Sequence, residues 1–191
     1  MRNRPTGFYV DVGLKALLVG VQAFGALSGG QQFDGKGFGF RLALAIPVVI
    51  VVPALWAAFG KHPPYPYAAD ALLTLPWLVD AFGNLFDMYD RYGWWDDANH
   101  YFNWMLLCAG VGMLLLRVAL PPVVIAALTV GFGTFAAIVW ELGEYMAFIR
   151  HSSELATAYT DTLGDLMLGT LGSITAAVAV GVVARRRVTR T

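Results

Sequence analysis

Residues 121–139 read PPVVIAALTVGFGTFAAIV, and residues 140–145 after them read WELGEY. The first stretch carries no charge, and about 20 apolar residues are what an α-helix needs to cross a bilayer core. Its end is more informative than its length. Glu141 and Glu144 stand three apart, hence on one helical face. Acids at the end of a span are either solvated where the helix stops, or face a bundle interior or wet cavity and mark function. The flanking sequence favours the second reading.

Working outward, the chain repeats this pattern of apolar block and polar end. A polar loop, Arg150–Thr160, leads into a further apolar block that Asp161 and Asp165 open and Arg185-Arg186-Arg187 close. Gly169, Gly172 and Ala176 follow Asp165 in that block and allow close helix packing. Upstream, Pro121-Pro122 makes a sharp turn from a block that begins with Asp96, Asp97 and His100. Asp97 and His100 are three apart, Asp96 and His100 four apart, and either pair can share a face. Trp94 and Trp95 before it fit an interfacial aromatic belt.

The expected fold is therefore all-α, a polytopic transmembrane bundle forming one domain over 1–191. The expected spans are 8–27, 42–60, 68–88, 98–120, 121–147 and 161–184. The third is the least apolar, and a re-entrant or interfacial segment competes for it. Within it Asp80, Asn84 and Asp87 fall at i, i+4 and i+7, one helical face that must point into the bundle or line a cavity. Pro47 and Pro53 lie inside the second span, where membrane helices tolerate proline. Asp11 and Lys15, four apart in the first, read as interfacial groups with the lysine reaching outward. His62, in a proline-rich connector, reads as a solvated loop histidine.

The composition agrees: 58% of the 191 residues are hydrophobic, 14% are charged and the net charge is zero, so no nucleic-acid partner is implied. The single cysteine, Cys108, cannot form an internal disulfide and reads as a small packing residue. Six spans with both termini on one side put Arg2, Arg4, Lys61, Arg117, Arg185, Arg186, Arg187 and Arg190 there. They put only Lys36, Arg41, Arg91 and Arg150 opposite. That bias places both termini in the cytoplasm.

One inference does not depend on the third span. The block after His100 starts, the block before Glu141 ends and the block after Asp165 starts on the same membrane face. Asp97, His100, Glu141, Glu144, Asp161 and Asp165 are thus expected at one level. Close carboxylates repel, and a divalent cation or shared protons would relieve them. A donor set of oxygens with one imidazole suits Mg²⁺, Ca²⁺ or Mn²⁺, and also Zn²⁺ or iron. No phosphate-binding glycine loop, serine-nucleophile motif, His-Glu-x-x-His or Glu-x-x-His pair is present.

Trp140-Glu141-Leu142-Gly143-Glu144-Tyr145, then Asp161-Thr162-Leu163-Gly164-Asp165-Leu166, after Asp97-x-x-His100, resembles the YjdF family of bacterial inner-membrane proteins. The resemblance covers roughly residues 80–172; Asn99 stands where the family is expected to carry glycine. A fainter similarity is to VanZ-like membrane proteins. The resemblance implies a multi-pass inner-membrane fold and a polar site, not an activity. Three function classes follow. They are a metal-dependent enzyme acting on a lipid or lipid-linked substrate at the outer face, an ion- or proton-coupled small-solute transporter, and a non-catalytic protein with a structural polar cluster. The bilayer is the expected partner, with a lipid or small solute as ligand and an oligomer compatible with six short-looped helices.

Overall fold

The computed structural model describes residues 4–30, 33–59, 64–147 and 149–188, with side chains to 186. Among them the chain is all-helical, with no strand. Its seven α-helices are α1 (Thr6–Leu27), α2 (Phe38–Ala58), α3 (Tyr67–Leu85), α4 (Met88–Arg91), α5 (Trp95–Leu115), α6 (Pro122–Ala147) and α7 (Ala158–Val188). By length and composition α1, α2, α6 and α7 can cross a membrane. The α3 and α5 helices run to 19 and 21 residues, but Asp70, Asp80 and Asn84 in one, and Asp96, Asp97, Asn99, His100 and Asn103 in the other, interrupt their apolarity. Large apolar side chains are exposed along the helices, among them Phe135, Val123, Leu142, Met167 and Val178. A water-soluble monomer rarely shows so much apolar surface; lipid is the solvent that suits it. Arg2, Lys61, His62 and Arg190, which the sequence reading used, lie outside the described residues, as does the side chain of Arg187.

The chain divides into two compact units, Met1–Met88 and Tyr89–Thr191. In the first, α3 runs alongside α1 in the same direction. Gly7 faces Tyr67 so closely that an added Cβ would meet the tyrosine Cβ at 2.9 Å. Further along, Lys15 bonds Asp70, and Leu18 and Val21 share a core with Ala45, Leu78 and Ala81. Polar pairs stitch this unit together. Lys15 bonds Asp11 at 3.2 Å and also Asp70; Arg41 bonds Asp80; Lys36 bonds Asp87.

Two expectations change here. Lys15 does not reach outward: Asp11 is buried, and Lys15 turns inward because Asp70 of α3 offers a second carboxylate. Asp87 does not extend the face of Asp80 and Asn84, because α3 ends at Leu85 and Asp87 takes a left-handed φ of 56°. Aspartate tolerates that conformation better than most residues. Asp80 and Asn84 do point inward, and Asn84 donates to the Asp80 carbonyl at 3.0 Å. Their cationic counterparts are Arg41 and Lys36, which the sequence places only as charges on the non-cytoplasmic side. Removing one partner of a buried pair strands the other, at about 3–5 kcal/mol. Arg41→Met is therefore expected to destabilise the fold by that amount, and Lys36→Met by less since Asp87 is less buried; denaturant melts in detergent measure both.

In the second unit three long helices share a polar end. Pro122 takes the first helical position of α6, where its fixed φ is pre-organised and its missing N–H costs nothing. The inward face of α6 is Ile125, Thr129, Gly133, Ala137 and Glu141, a stripe at spacing four whose last member is acidic. On α5 the buried stripe is His100, Trp104, Cys108 and Gly112, and on α7 it holds Asp165, Gly169, Ser173, Ala176, Val180 and Ala184. These stripes meet along glycine. A Cβ on Gly169 would strike the Trp104 ring, one on Gly172 the backbone of Tyr101 and Met105, and one on Gly133 the side chains of Ser173 and Cys108. Small residues permit such close helix approach inside membranes. The order of contacts sets direction: His100 with Asp165, Trp104 with Gly169 and Gly112 with Val180 make α5 and α7 parallel. His100 with Glu141 and Cys108 with Gly133 make α6 antiparallel to them. The start of α5, the end of α6 and the start of α7 therefore lie together.

Candidate metal centre

His100 is the hub of that shared end. It is buried, and an acidic residue from another helix stands at each of its ring nitrogens. Nε2 lies 3.3 Å from Glu141 Oε1 of α6, and Nδ1 lies 3.0 Å from Asp165 Oδ1 of α7. Asp96, one turn earlier on α5, brings its backbone carbonyl to 3.2 Å and its carboxylate to 3.5 Å of Nδ1. Among the described residues, two sets of ligand-type atoms each lie within 4.8 Å of one another: Asp96, His100 and Asp165, and His100, Glu141 and Glu144. His100 belongs to both.

Glu141 and Asp165 are buried, Glu144 and Asp96 half-buried. Asp161 is exposed, one turn before Asp165, within electrostatic reach of Asp165, Glu141 and His100. Asp97 is exposed and in neither group. Of the residues expected from sequence, His100, Glu141, Glu144 and Asp165 meet directly and Asp161 stands at the rim. Asp96 occupies the place expected of Asp97. A signal for it was present: counting by fours from Asp96 gives His100, Trp104, Cys108 and Gly112, all buried, so the interior stripe of α5 passes through Asp96. Asn99 is also used. It is buried, donates to the Trp95 carbonyl at 2.8 Å and accepts from Asn103 at 2.8 Å.

The chain matches the family described as "Predicted membrane protein (DUF2238)" over residues 14–187. It belongs to that family. The YjdF-like reading agrees with this assignment, while the similarity to VanZ-like proteins finds no support in it. No curated protein and no solved structure matches the chain. What family membership adds is location: this DUF2238 protein is a membrane protein, with a histidine and acidic residues gathered at one end of α5, α6 and α7.

The imidazole geometry restricts the chemistry of that end. A carbonyl oxygen only accepts, so the contact from Nδ1 to the Asp96 carbonyl requires a proton on Nδ1. Asp165 accepts from the same N–H. In the neutral ring Nε2 then carries a lone pair, and it faces a carboxylate oxygen that also carries lone pairs. Two acceptors at 3.3 Å need something positive between them: a proton or a metal ion.

Proposed function

We propose that this protein binds a divalent metal ion through His100 Nε2, Glu141 and Glu144. Asp165 and the Asp96 carbonyl hold the other face of the ring. The single observation that carries the reading is the division of labour on His100. A metal-bound histidine commonly donates its second N–H to a carboxylate or carbonyl, which fixes tautomer and orientation. Nδ1 has both kinds of acceptor, and Nε2 has the pair of glutamates.

One imidazole and two carboxylates are three protein ligands, the number that catalytic zinc sites use while leaving a position open. An ion held so can activate water or polarise a phosphoryl oxygen. The half-buried Glu144 and exposed Asp161 leave an approach from the membrane surface. We therefore favour a metal-dependent enzyme acting on a lipid or lipid-linked substrate over a transporter or a structural cluster. In this reading the chain is one transmembrane domain of six spans in a bacterial inner membrane, with both termini cytoplasmic and the metal site at the opposite face. The course of α3 alongside α1, one unbroken helix, supports counting it as a span.

Two experiments test these statements separately. Metal analysis of purified protein is expected to find one divalent ion per chain. Saturating metal at 100 times its Kd stabilises by about 2.7 kcal/mol, so chelator should lower the melting temperature by roughly 5–10 °C. A chelator-insensitive melt with no bound metal would leave a shared proton as the group between Nε2 and Glu141. For orientation, single cysteines placed in Arg150–Thr160 are expected to react with a membrane-impermeant reagent in intact cells. Reaction only after permeabilisation reverses the topology and leaves the site untouched.

A further inference from the structure

We infer that the Asp11–Lys15–Asp70 network of the first unit is a proton-binding site, in which the two carboxyl groups hold one exchangeable proton between them. The argument is one of charge and partners. Asp70 is completely buried and Asp11 nearly so. Both lie against one ammonium: Lys15 Nζ is 3.2 Å from Asp11 Oδ2 and bonded to Asp70 Oδ2. Among the described residues, two carboxylates against one lysine leave a net charge of −1 in the core between α1 and α3.

Partners are short as well as charge. Asp70 Oδ2 also accepts from the Tyr65 hydroxyl, so the Oδ2 atoms are well supplied. Asp11 Oδ1 and Asp70 Oδ1 are buried and have no hydrogen-bond partner among the described residues. An unpaired charge is expensive in such surroundings, and the ordinary outcome is that the group takes up a proton. Among the described residues, the neighbouring titratable groups do not supply one. Burial and the hydrogen bond to Asp70 push the Tyr65 phenol up, so it stays a donor. Tyr67 packs on Tyr65 with ring centres 4.7 Å apart. Arg4 sits over the Phe8 ring at 4.1 Å, and Arg41, the sole charged residue of α2, is bonded to Asp80.

Uptake forms one O–H bond on a carboxylate oxygen, takes its proton from water and brings the network from −1 to neutral. Gln22 lies on α1 eleven residues beyond Asp11, three helical turns on, completely buried with both amide atoms unpartnered among the described residues. Such atoms call for internal water, which would give the proton a path for exchange. Acids placed inside a span in this way serve proton relays in membrane proteins.

Infrared difference spectroscopy of the purified full chain between neutral and strongly alkaline pH tests the proposal. A protonated-carboxyl C=O band is expected at neutral pH, lost on alkalinisation, absent from Asp11→Asn and Asp70→Asn, and retained in Glu141→Gln. If the asparagine variants do not fold, Tyr65→Phe, which removes only a hydroxyl, must still shift the band frequency. The wild-type melting temperature should fall as pH rises, because the native state holds a proton that the unfolded chain releases; Asp11→Asn should lack that dependence. No such band in the wild type, or a band insensitive to Tyr65→Phe, overturns the assignment. So does a melting temperature raised by Na⁺ over choline with no band, since Na⁺ would then be the neutralising ion.

Discussion

If the proposed site binds metal, Glu141→Gln is expected to leave the purified protein without a divalent ion. The amide keeps the shape of the side chain but removes the charge opposite His100 Nε2, at the only buried oxygen ligand of the set. Changing an outer-shell partner typically costs 10–100-fold in metal affinity, so removing an inner ligand should cost more than about 100-fold. A graded series makes the expectation specific. His100→Ala should lose the ion altogether. Asp165→Asn, which keeps an acceptor for Nδ1–H but loses its charge, should weaken binding by about 10–100-fold. Asp97→Asn should change nothing, because Asp97 is exposed and outside both ligand groups. Isothermal titration on chelator-stripped protein reads all four. If Asp165→Asn weakens binding more than Glu141→Gln, the ion sits on the Nδ1 side with Asp96 and Asp165, and the roles of the two groups exchange. Equal binding by all four variants would falsify a metal site on His100.

Gly172→Ala is the second large effect, at a position with no chemistry of its own. A Cβ there would meet Met105 N at 3.0 Å and the Tyr101 carbonyl oxygen closer still. Both obstacles are backbone, so the helices themselves must move apart. Overpacking of this kind costs about 1–3 kcal/mol. In an open helical position the same change is favourable, because alanine is a better helix former than glycine by up to about 1 kcal/mol. Gly131, in α6 with nothing within 4 Å of its Cβ position, supplies the control. Gly131→Ala should raise the melting temperature and Gly172→Ala lower it, by about 2–4 °C per kcal/mol. Moving α7 off α5 also lengthens the 3.0 Å contact between His100 and Asp165, so Gly172→Ala should weaken metal binding as well as stability. A variant that melts lower yet binds metal as tightly as wild type would show that the helix spacing and the site are independent.

Much of this was legible in sequence because hydropathy and turn chemistry are local. A run such as residues 121–139, bounded by Pro121-Pro122 and Glu141, specifies a helix and its ends without reference to anything else. The alternation of start, end and start then puts His100, Glu141 and Asp165 at one level, which is where the structure has them. The small residues at Gly169, Gly172 and Ala176 marked the packing face of α7 for the same reason: volume is a property of the residue alone.

Rotation about the helix axis and pairing between distant segments are not local, and tertiary structure decided both. Asp96 and Asp97 differ by one position and about 100° around α5. Which of them faces α7 depends on how Trp104 seats against Gly169, a contact between helices. Lys15 could reach outward or inward until Asp70, 55 residues on, offered it a carboxylate in the interior. Arg41 and Lys36 counted only toward orientation until α3 set Asp80 and Asp87 beside them. Periodicity says which side chains share a face; only the packing of one helix on another says what that face meets, and so which charges the fold must neutralise.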